Sequence, residues 1–293
     1  MFGIYFLSFI ISLFASILDY SYNVYKKEKK ISKFVYYYAI IIFLITSFGS
    51  LRLIIHENGE RFNIVGSAGI SPRLHAEGKY PGLPIEKYID YIQKTIIKAN
   101  HSDAKIIEYY EDAFFIELND REDIINKTAK LAEKYNIFVV LSLTVKHLTY
   151  LKNEAILISD RGKVLYNYQK KNLIPSLEGL YYSNITEFKT FKTDFGYLGV
   201  VICYDLNFPY YINQISRLGL DTLLVPSFDW DFIEFHSIEL RFRAIENGFS
   251  TLKSTGNGIT VSFDYKGRYL SYFQKDGYED YFVLTSVYKK GIN

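Results

Sequence analysis

Two uncharged apolar runs open the chain, and a mixed pattern of alternating and helical periodicity fills the rest. Phe2 to Leu18 holds 17 residues without a charge, the short end of what crosses a bilayer. Ser8, Ser12 and Ser16 recur at every fourth position, so three small groups share one helical face, which packs helix on helix in lipid. Phe34 to Leu51 is the second run, entered through Tyr36, Tyr37 and Tyr38. Between them lie Lys26, Lys27, Lys29, Lys30 and Lys33. Short lysine-rich loops stay cytoplasmic, so two spans place everything after Arg52 outside the cytoplasm, in a cell membrane. A single span, with the first run lying in the interface, breaks that topology.

From about Arg61 the pattern becomes that of a globular domain. Phe62 to Gly69 reads as a strand entering a loop. Apolar residues at 85, 89, 92, 96 and 97 form a helical stripe. Lys105–Tyr110 reads as a strand, Arg121–Tyr135 as a helix and Ile137–Val145 as a strand. Ala155–Ser159 and Val164–Tyr168 flank the turn signal Asp160-Arg161-Gly162, and Phe188–Thr193 and Tyr197–Cys203 flank Asp194-Phe195-Gly196. A helix over Tyr210–Leu218 leads to a strand at Thr222–Val225. The helix Phe232–Asn247 stops at Gly248, a usual C-terminal signal. Strands at Ser250–Ser254, Ile259–Phe263 and Tyr269–Phe273 complete the pattern. Strands alternating with helices, with hairpins inserted, predict an α/β layered fold with mixed sheets. The domains expected are residues 1–55, two membrane helices with a basic loop, and residues 60–293.

Composition changes this picture little. Lys+Arg 34 against Asp+Glu 32 gives a net charge of +2, so no global field argues for nucleic acid. The 28 tyrosines and 23 phenylalanines supply a core and also suit a membrane interface. A single cysteine excludes an internal disulfide.

That cysteine is the candidate nucleophile. Leu198 to Ile202 deliver Cys203 to the end of a buried strand, before a polar turn and Pro209. Free cysteines mostly serve as small buried hydrophobes, so the thiol needs partners: a base, and a cation or N–H donors for the oxyanion. His56, His75, His101, His147 and His236 are scattered, which gives a Cys–His pair no local support. Glu111 stands at the end of one strand. Lys170 and Lys171 stand just past another, with Glu178 in the loop beyond. Acids and lysines just past strands are usually solvated loop charges, but carboxylate, ammonium and thiol at three strand ends of one domain make a candidate catalytic set.

Glu111 after DAKIIEYY, Lys170 in YQKKNL and Cys203 in GVVICYDLNFP resemble the Glu–Lys–Cys triad of the carbon–nitrogen hydrolase (nitrilase) superfamily. RAIENG, Arg243 to Gly248, is similar to that family's later segment. The resemblance covers Phe62 to Phe273 and implies an αββα sandwich. Within the superfamily the chain looks like the apolipoprotein N-acyltransferase branch: Glu178 follows Lys170 by eight residues, Cys203-Tyr204-Asp205 is similar to its Cys-Tyr-Glu, and the two apolar runs resemble its last two spans before the catalytic domain. The family enzyme has further spans, so the resemblance implies a fragment, a truncated form or a shorter relative. Tyr110 replaces a usual proline, Ser176-Leu177 a usual Phe-Gly, and Gly256 a usual asparagine.

The resemblance implies that Glu111 takes the Cys203 proton, that the thiolate attacks an acyl carbonyl, and that Lys170 and a backbone N–H stabilise the oxyanion of a thioester-forming step. The implied acyl donor is a phospholipid and the acceptor the amine of a lipoprotein cysteine; no metal or cofactor is needed. Glu178 orients Lys170 or assists the second step, Tyr204 shapes the pocket, and Asp205 supports it or binds substrate. Trp230 lines the acyl pocket or packs in the core, and Lys171 is a solvated neighbour. The alternatives are a membrane-tethered amidase acting on a small amide and a non-catalytic membrane partner.

Overall fold

The computed structural model describes residues 3–55, 59–69, 83–175, 177–181, 187–229, 233–274 and 281–288. The chain divides into two compact units, Met1–Asn58 and Gly59–Asn293. The first is a pair of helices, α1 (Gly3–Glu28) and α2 (Lys33–Ile54). Both are long and apolar enough to cross a membrane. The Ser32 hydroxyl caps α2 by accepting from Phe34 N, and Tyr38 donates its hydroxyl to the Ile10 carbonyl at 3.2 Å. Ser12 and Ser16 donate to the carbonyls four residues before them, so these hydroxyls are satisfied within their own helix.

The second unit runs β1 (Arg61–Ala68), α3 (Ile85–His101), β2 (Ala104–Glu108), β3 (Phe114–Glu117), α4 (Arg121–Tyr135), β4 (Phe138–Lys146), β5 (Leu151–Ile158) and β6 (Val164–Gln169). It continues through β7 (Phe191–Thr193), β8 (Gly196–Val200), α5 (Pro209–Ser216), β9 (Thr222–Leu224), β10 (Ser227–Phe228) and α6 (Ile233–Asn247). The last strands are β11 (Ser250–Lys253), β12 (Thr255–Gly256), β13 (Ile259–Phe263), β14 (Tyr269–Gln274) and β15 (Tyr281–Tyr288). One sheet is ordered β15-β1-β2-β4-β5-β6, with β3 also on β4; a second is ordered β14-β13-β11-β9-β8-β7, and β10 and β12 form a parallel two-stranded pair. The strand β15, antiparallel to β1, and the short β3 escape the sequence pattern.

Alternation along the strands builds the layers. Ile106 of β2, with Phe138 and Val140 of β4, joins Leu198, Val200, Leu223 and Leu252 between the sheets. Ile107, Val139 and Leu141 point the other way, onto Ile92 and Ile96 of α3 and Ile124 of α4. Leu240 and Ala244 of α6 and Ile212 and Ile215 of α5 join the core on the side of the second sheet. The result is the αββα sandwich expected. Because β2 and β4 run parallel while β5 reverses and β6 reverses again, β2 and β6 finish at the same edge.

Glu108 breaks the apolar pattern. It shares the face of Ile106, fully enclosed, and its carboxyl meets the backbone N–H groups of Ser254 and Val225. Burial outweighs those bonds and holds its pKa well above the usual carboxyl value. Below the unfolded value of about 4.3 both states keep the proton. As pH rises above it the unfolded chain ionises first, so stability falls until the folded value is reached. Glu108→Gln, which stays neutral, should therefore melt near the parent at about pH 4.3 but above it at neutral pH; parallel melting curves across that range would place an ionised carboxylate in the fold.

Candidate active site

Lys170 begins where β6 ends, and its backbone N–H donates to the Asn153 carbonyl of β5 at 2.9 Å. Its ammonium, 1% exposed, donates to Glu111 Oε1 at 2.8 Å and Glu178 Oε1 at 2.8 Å. Asn153 Nδ2 donates to the same Glu111 oxygen at 2.6 Å, and Glu178 Oε2 accepts from Ile174 N at 2.7 Å. Glu111 lies three residues beyond the end of β2, tied by its N–H to the Ser227 carbonyl at 3.2 Å. Three charges are thereby locked in a buried row.

Cys203 does not sit on a strand. The ladder runs on past β8, with Val201 N donating to Leu224 O and Cys203 N to Pro226 O. The cysteine itself then takes φ +45, a left-handed conformation uncommon for a residue with a side chain, and opens a tight turn over Cys203–Asn207. Its thiol is 3.6 Å from the Phe228 carbonyl and interacts electrostatically with both Glu111 and Lys170. The structure thus gathers Glu111, Lys170, Glu178 and Cys203 at one edge.

Asp205 holds this turn. Fully enclosed, it accepts from Tyr168 Oη at 2.6 Å, Asn172 N at 2.9 Å, Asn172 Nδ2 at 2.8 Å and Ile202 N at 3.3 Å. Its oxygens tie the cysteine turn to the lysine loop. Tyr204 is half-buried, edge-on to Phe208 at 5.4 Å. Lys171 lies over the Tyr211 ring at 4.1 Å, a cation–π contact rather than simple solvation. Trp230 lies outside the described residues.

Two departures noted in the sequence belong together. A side chain at Gly256 would meet the Tyr110 ring at 2.9 Å and the Phe228 ring at 2.7 Å. The bulky Tyr110 beside Glu111 is accommodated because position 256 carries no Cβ.

Burial sets the acid–base state. It pushes Glu111 up to about 7, against the downward pull of Lys170. Burial also opposes the Lys170 charge, but Glu111, Cys203 and Glu178 outweigh it and hold the ammonium well above the lysine range. Cys203 is raised well above the usual thiol value by burial and by Glu111, more than Lys170 lowers it. Lys170 pulls the thiol down but is outweighed, so the resting site is a neutral thiol beside a carboxyl poised near neutrality.

The sequence reading passed over Asn153, Asp229 and Lys253, and saw His236 only as one of five scattered histidines. His236 Nδ1 is 2.7 Å from Asp229 Oδ1 and its Nε2 is 3.2 Å from the Cys203 carbonyl, while Lys253 Nζ donates to Asp229 Oδ2 at 2.8 Å. Asp229 was visible in VPSFDW beside the tryptophan, but nothing linear joins it to a histidine on α6. Cys203, Asp229 and His236 offer ligand atoms within 4.8 Å of one another, donor types that suit zinc. Lys253 already occupies the carboxylate. Beside the Glu111–Lys170–Glu178 row lies a cavity of about 10 Å³, walled by Ile174, Leu177 and Phe228, room for one water.

A model of the carbon-nitrogen hydrolase family matches residues 104–279. The "Hydrolase in agr operon" of Staphylococcus lugdunensis is 29% identical over 169 residues, 55% of this chain and 70% of that protein. Pantetheinase of Sus scrofa is 22% identical over 276 residues, 76% of this chain; the match spans about half, 53%, of the pig protein. A crystallised amidase from Nesterenkonia sp. AN1, with the acetamide moiety of fluoroacetamide covalently on its active-site cysteine, superposes with TM-score 0.67 at 18% identity, over 80% of this chain and 93% of that one.

Asp205→Ala should strip the Asn172 and Ile202 donors of this acceptor, leave the Tyr168 hydroxyl only Tyr211, and destabilise the fold by about 3 kcal/mol, read by denaturant unfolding. Asp205→Asn, which keeps one acceptor oxygen, should lose less. Equal, small losses would remove Asp205 from its place as the tie between the two loops.

Proposed function

The chain belongs to the carbon–nitrogen hydrolase family, and from that membership we propose that it forms a thioester acyl-enzyme on Cys203 and passes the acyl group to an amine at a membrane surface. The buried contact of Lys170 with Glu111, beside the chain's one thiol, carries this reading.

The Glu111 carboxylate takes the thiol proton as sulfur bonds to the acyl carbon and the carbonyl π pair moves to oxygen. The Lys170 ammonium and the N–H after Cys203 stabilise that oxyanion. Collapse expels the leaving group, which takes the proton from Glu111. The acceptor amine then attacks the thioester, gives its proton to Glu111, and the thiol re-forms as the acyl–nitrogen bond is made. Glu178, anchored by Ile174 N, keeps Lys170 aligned through both steps. The donor proposed is a phospholipid and the acceptor the N-terminal cysteine amine of a lipoprotein, as in the apolipoprotein N-acyltransferase branch. Two features support an apolar substrate: α1 and α2 are of spanning length, and Leu177 and Leu180 stand exposed on the loop that carries Glu178. With both helices spanning and the lysine loop cytoplasmic, the catalytic unit is extracytoplasmic.

The small cavity beside Lys170 and the likeness to an amidase fold favour a second reading, hydrolysis of a small amide, in which water takes the amine's place.

Full-length protein in detergent with phospholipid should acquire a long-chain acyl mass on the Cys203 peptide, and Cys203→Ala should carry none. The rate should fall about tenfold per pH unit below about 7, because Glu111 must be unprotonated to act. Lys170→Ala should lose roughly a hundredfold or more. Hydrolysis of short amides without any lipid adduct selects the amidase, and full activity of Cys203→Ala sinks both readings.

A further inference from the structure

The mechanism above leaves a second buried charged group without a task. Lys253 is fully enclosed and Asp229 nearly so; they pair at 2.8 Å, and the other Asp229 oxygen faces His236 Nδ1 at 2.7 Å. Asp229 is held below the usual carboxyl value, since Lys253 and His236 outweigh its burial. On the far side of the ring Nε2 meets the Cys203 carbonyl at 3.2 Å. The imidazole thus bridges an ion-paired carboxylate and the backbone of the cysteine turn, one nitrogen on each.

The backbone at this point needs such a partner. Cys203 occupies the left-handed region at φ +45, which L-residues enter at an energetic expense that surrounding contacts must offset. Its N–H is fixed by Pro226 O at 2.9 Å, its following turn by Asp205, and its carbonyl by His236. The imidazole also lies close to the sulfur, within 4.8 Å. The groups around the thiol are then Glu111 and Lys170 at the strand edge of the first sheet, and Asp229, Lys253 and His236 from the second sheet and α6.

We propose that His236, clamped by Asp229 and Lys253, is a positioning residue that pins the Cys203 carbonyl in its left-handed turn and so fixes the direction of the thiol. The inference rests on the acyl-enzyme reading. It explains why a histidine stands beside the nucleophile without serving as its base: both ring nitrogens are engaged, one by Asp229 and the other by the Cys203 carbonyl. It also gives the buried Lys253 a purpose, since without that ammonium Asp229 would hold its charge less firmly and the ring would lose its anchor. A thiophilic cation would have to displace the Lys253 pair and both contacts of the ring, so a hydrogen-bonded clamp fits these atoms better than a metal.

Cys203 is the chain's single cysteine, so alkylation by iodoacetamide reads this thiol alone. The test follows the alkylation rate against pH in the full-length protein, with melting temperature measured alongside. His236→Asn keeps the donor toward Asp229 but loses the one toward Cys203; His236→Gln restores a neutral donor to the carbonyl. The Asn variant should react about tenfold more slowly than the parent at each pH. The Gln variant should recover most of that rate, because the donor to the carbonyl returns. A folded Asn variant that reacts at the parent rate overturns the inference, as does a Gln variant no faster than a folded Asn variant; if the Asn protein does not fold, a folded Gln variant about tenfold slower than the parent overturns it. Failure of the underlying reading looks different: Glu111→Gln would then leave alkylation of the parent thiol unchanged.

Discussion

An ammonium in an almost dry interior is the constraint from which the site follows. Lys170, 1% exposed, has its charge met by Glu111 and Glu178 together, and removing either leaves buried charge uncompensated, a defect that costs several kcal/mol. The protein therefore has to bring the end of β2, the end of β6 and the loop after it to one place. Parallel β2 and β6 in one sheet, with Asn153 of β5 bonded to both Glu111 and Lys170, meet that demand. The same burial that makes the pairing obligatory raises Glu111 into the range where a carboxylate can work as a base near neutral pH.

The thiol obeys a different logic. It sits on a strained turn rather than in a regular strand, and three independent ties hold that turn from different sides: Pro226, Asp205 and His236. Two of these are polar side chains held inside the fold by partners of their own, so the turn's geometry and the site's hydrogen-bond network are set together. Burial keeps Cys203 neutral at rest, so the proposed mechanism couples proton removal and attack to the arrival of a substrate. That avoids carrying a permanently reactive thiolate in a chain that stands at a membrane in the proposed reading.

Glu108 and the Tyr110–Gly256 pair are local compromises of the same sandwich. The first keeps a carboxyl neutral between two sheets; the second lets an aromatic ring take space that any side chain at 256 would claim. Both lie within three residues of Glu111 or against its neighbour, where the strand edge has to stop being regular and become a site.

Much of this was legible in the linear pattern. The helices α3, α4 and α6 and the strands β2, β4, β5 and β6 lie close to where periodicity put them, because each must bury one face and the 3.6- and 2-residue repeats record which face that is. Glu111, Lys170, Glu178 and Cys203 stood out because charged groups and a thiol follow apolar strands. The sequence left β3 and β15 unmarked: β3 is four residues long, and β15 pairs with β1 from the far end of the chain, a register only the folded sheet fixes. It could not separate Lys171 from a solvated charge, foresee that Asp205 faces inward, or put His236 against Cys203. Those facts depend on side chains 33 to 40 residues from their partners along the chain, brought together by sheet and helix packing; the sequence by itself determined which surfaces would be buried, and only the tertiary structure decided which charges would meet inside them.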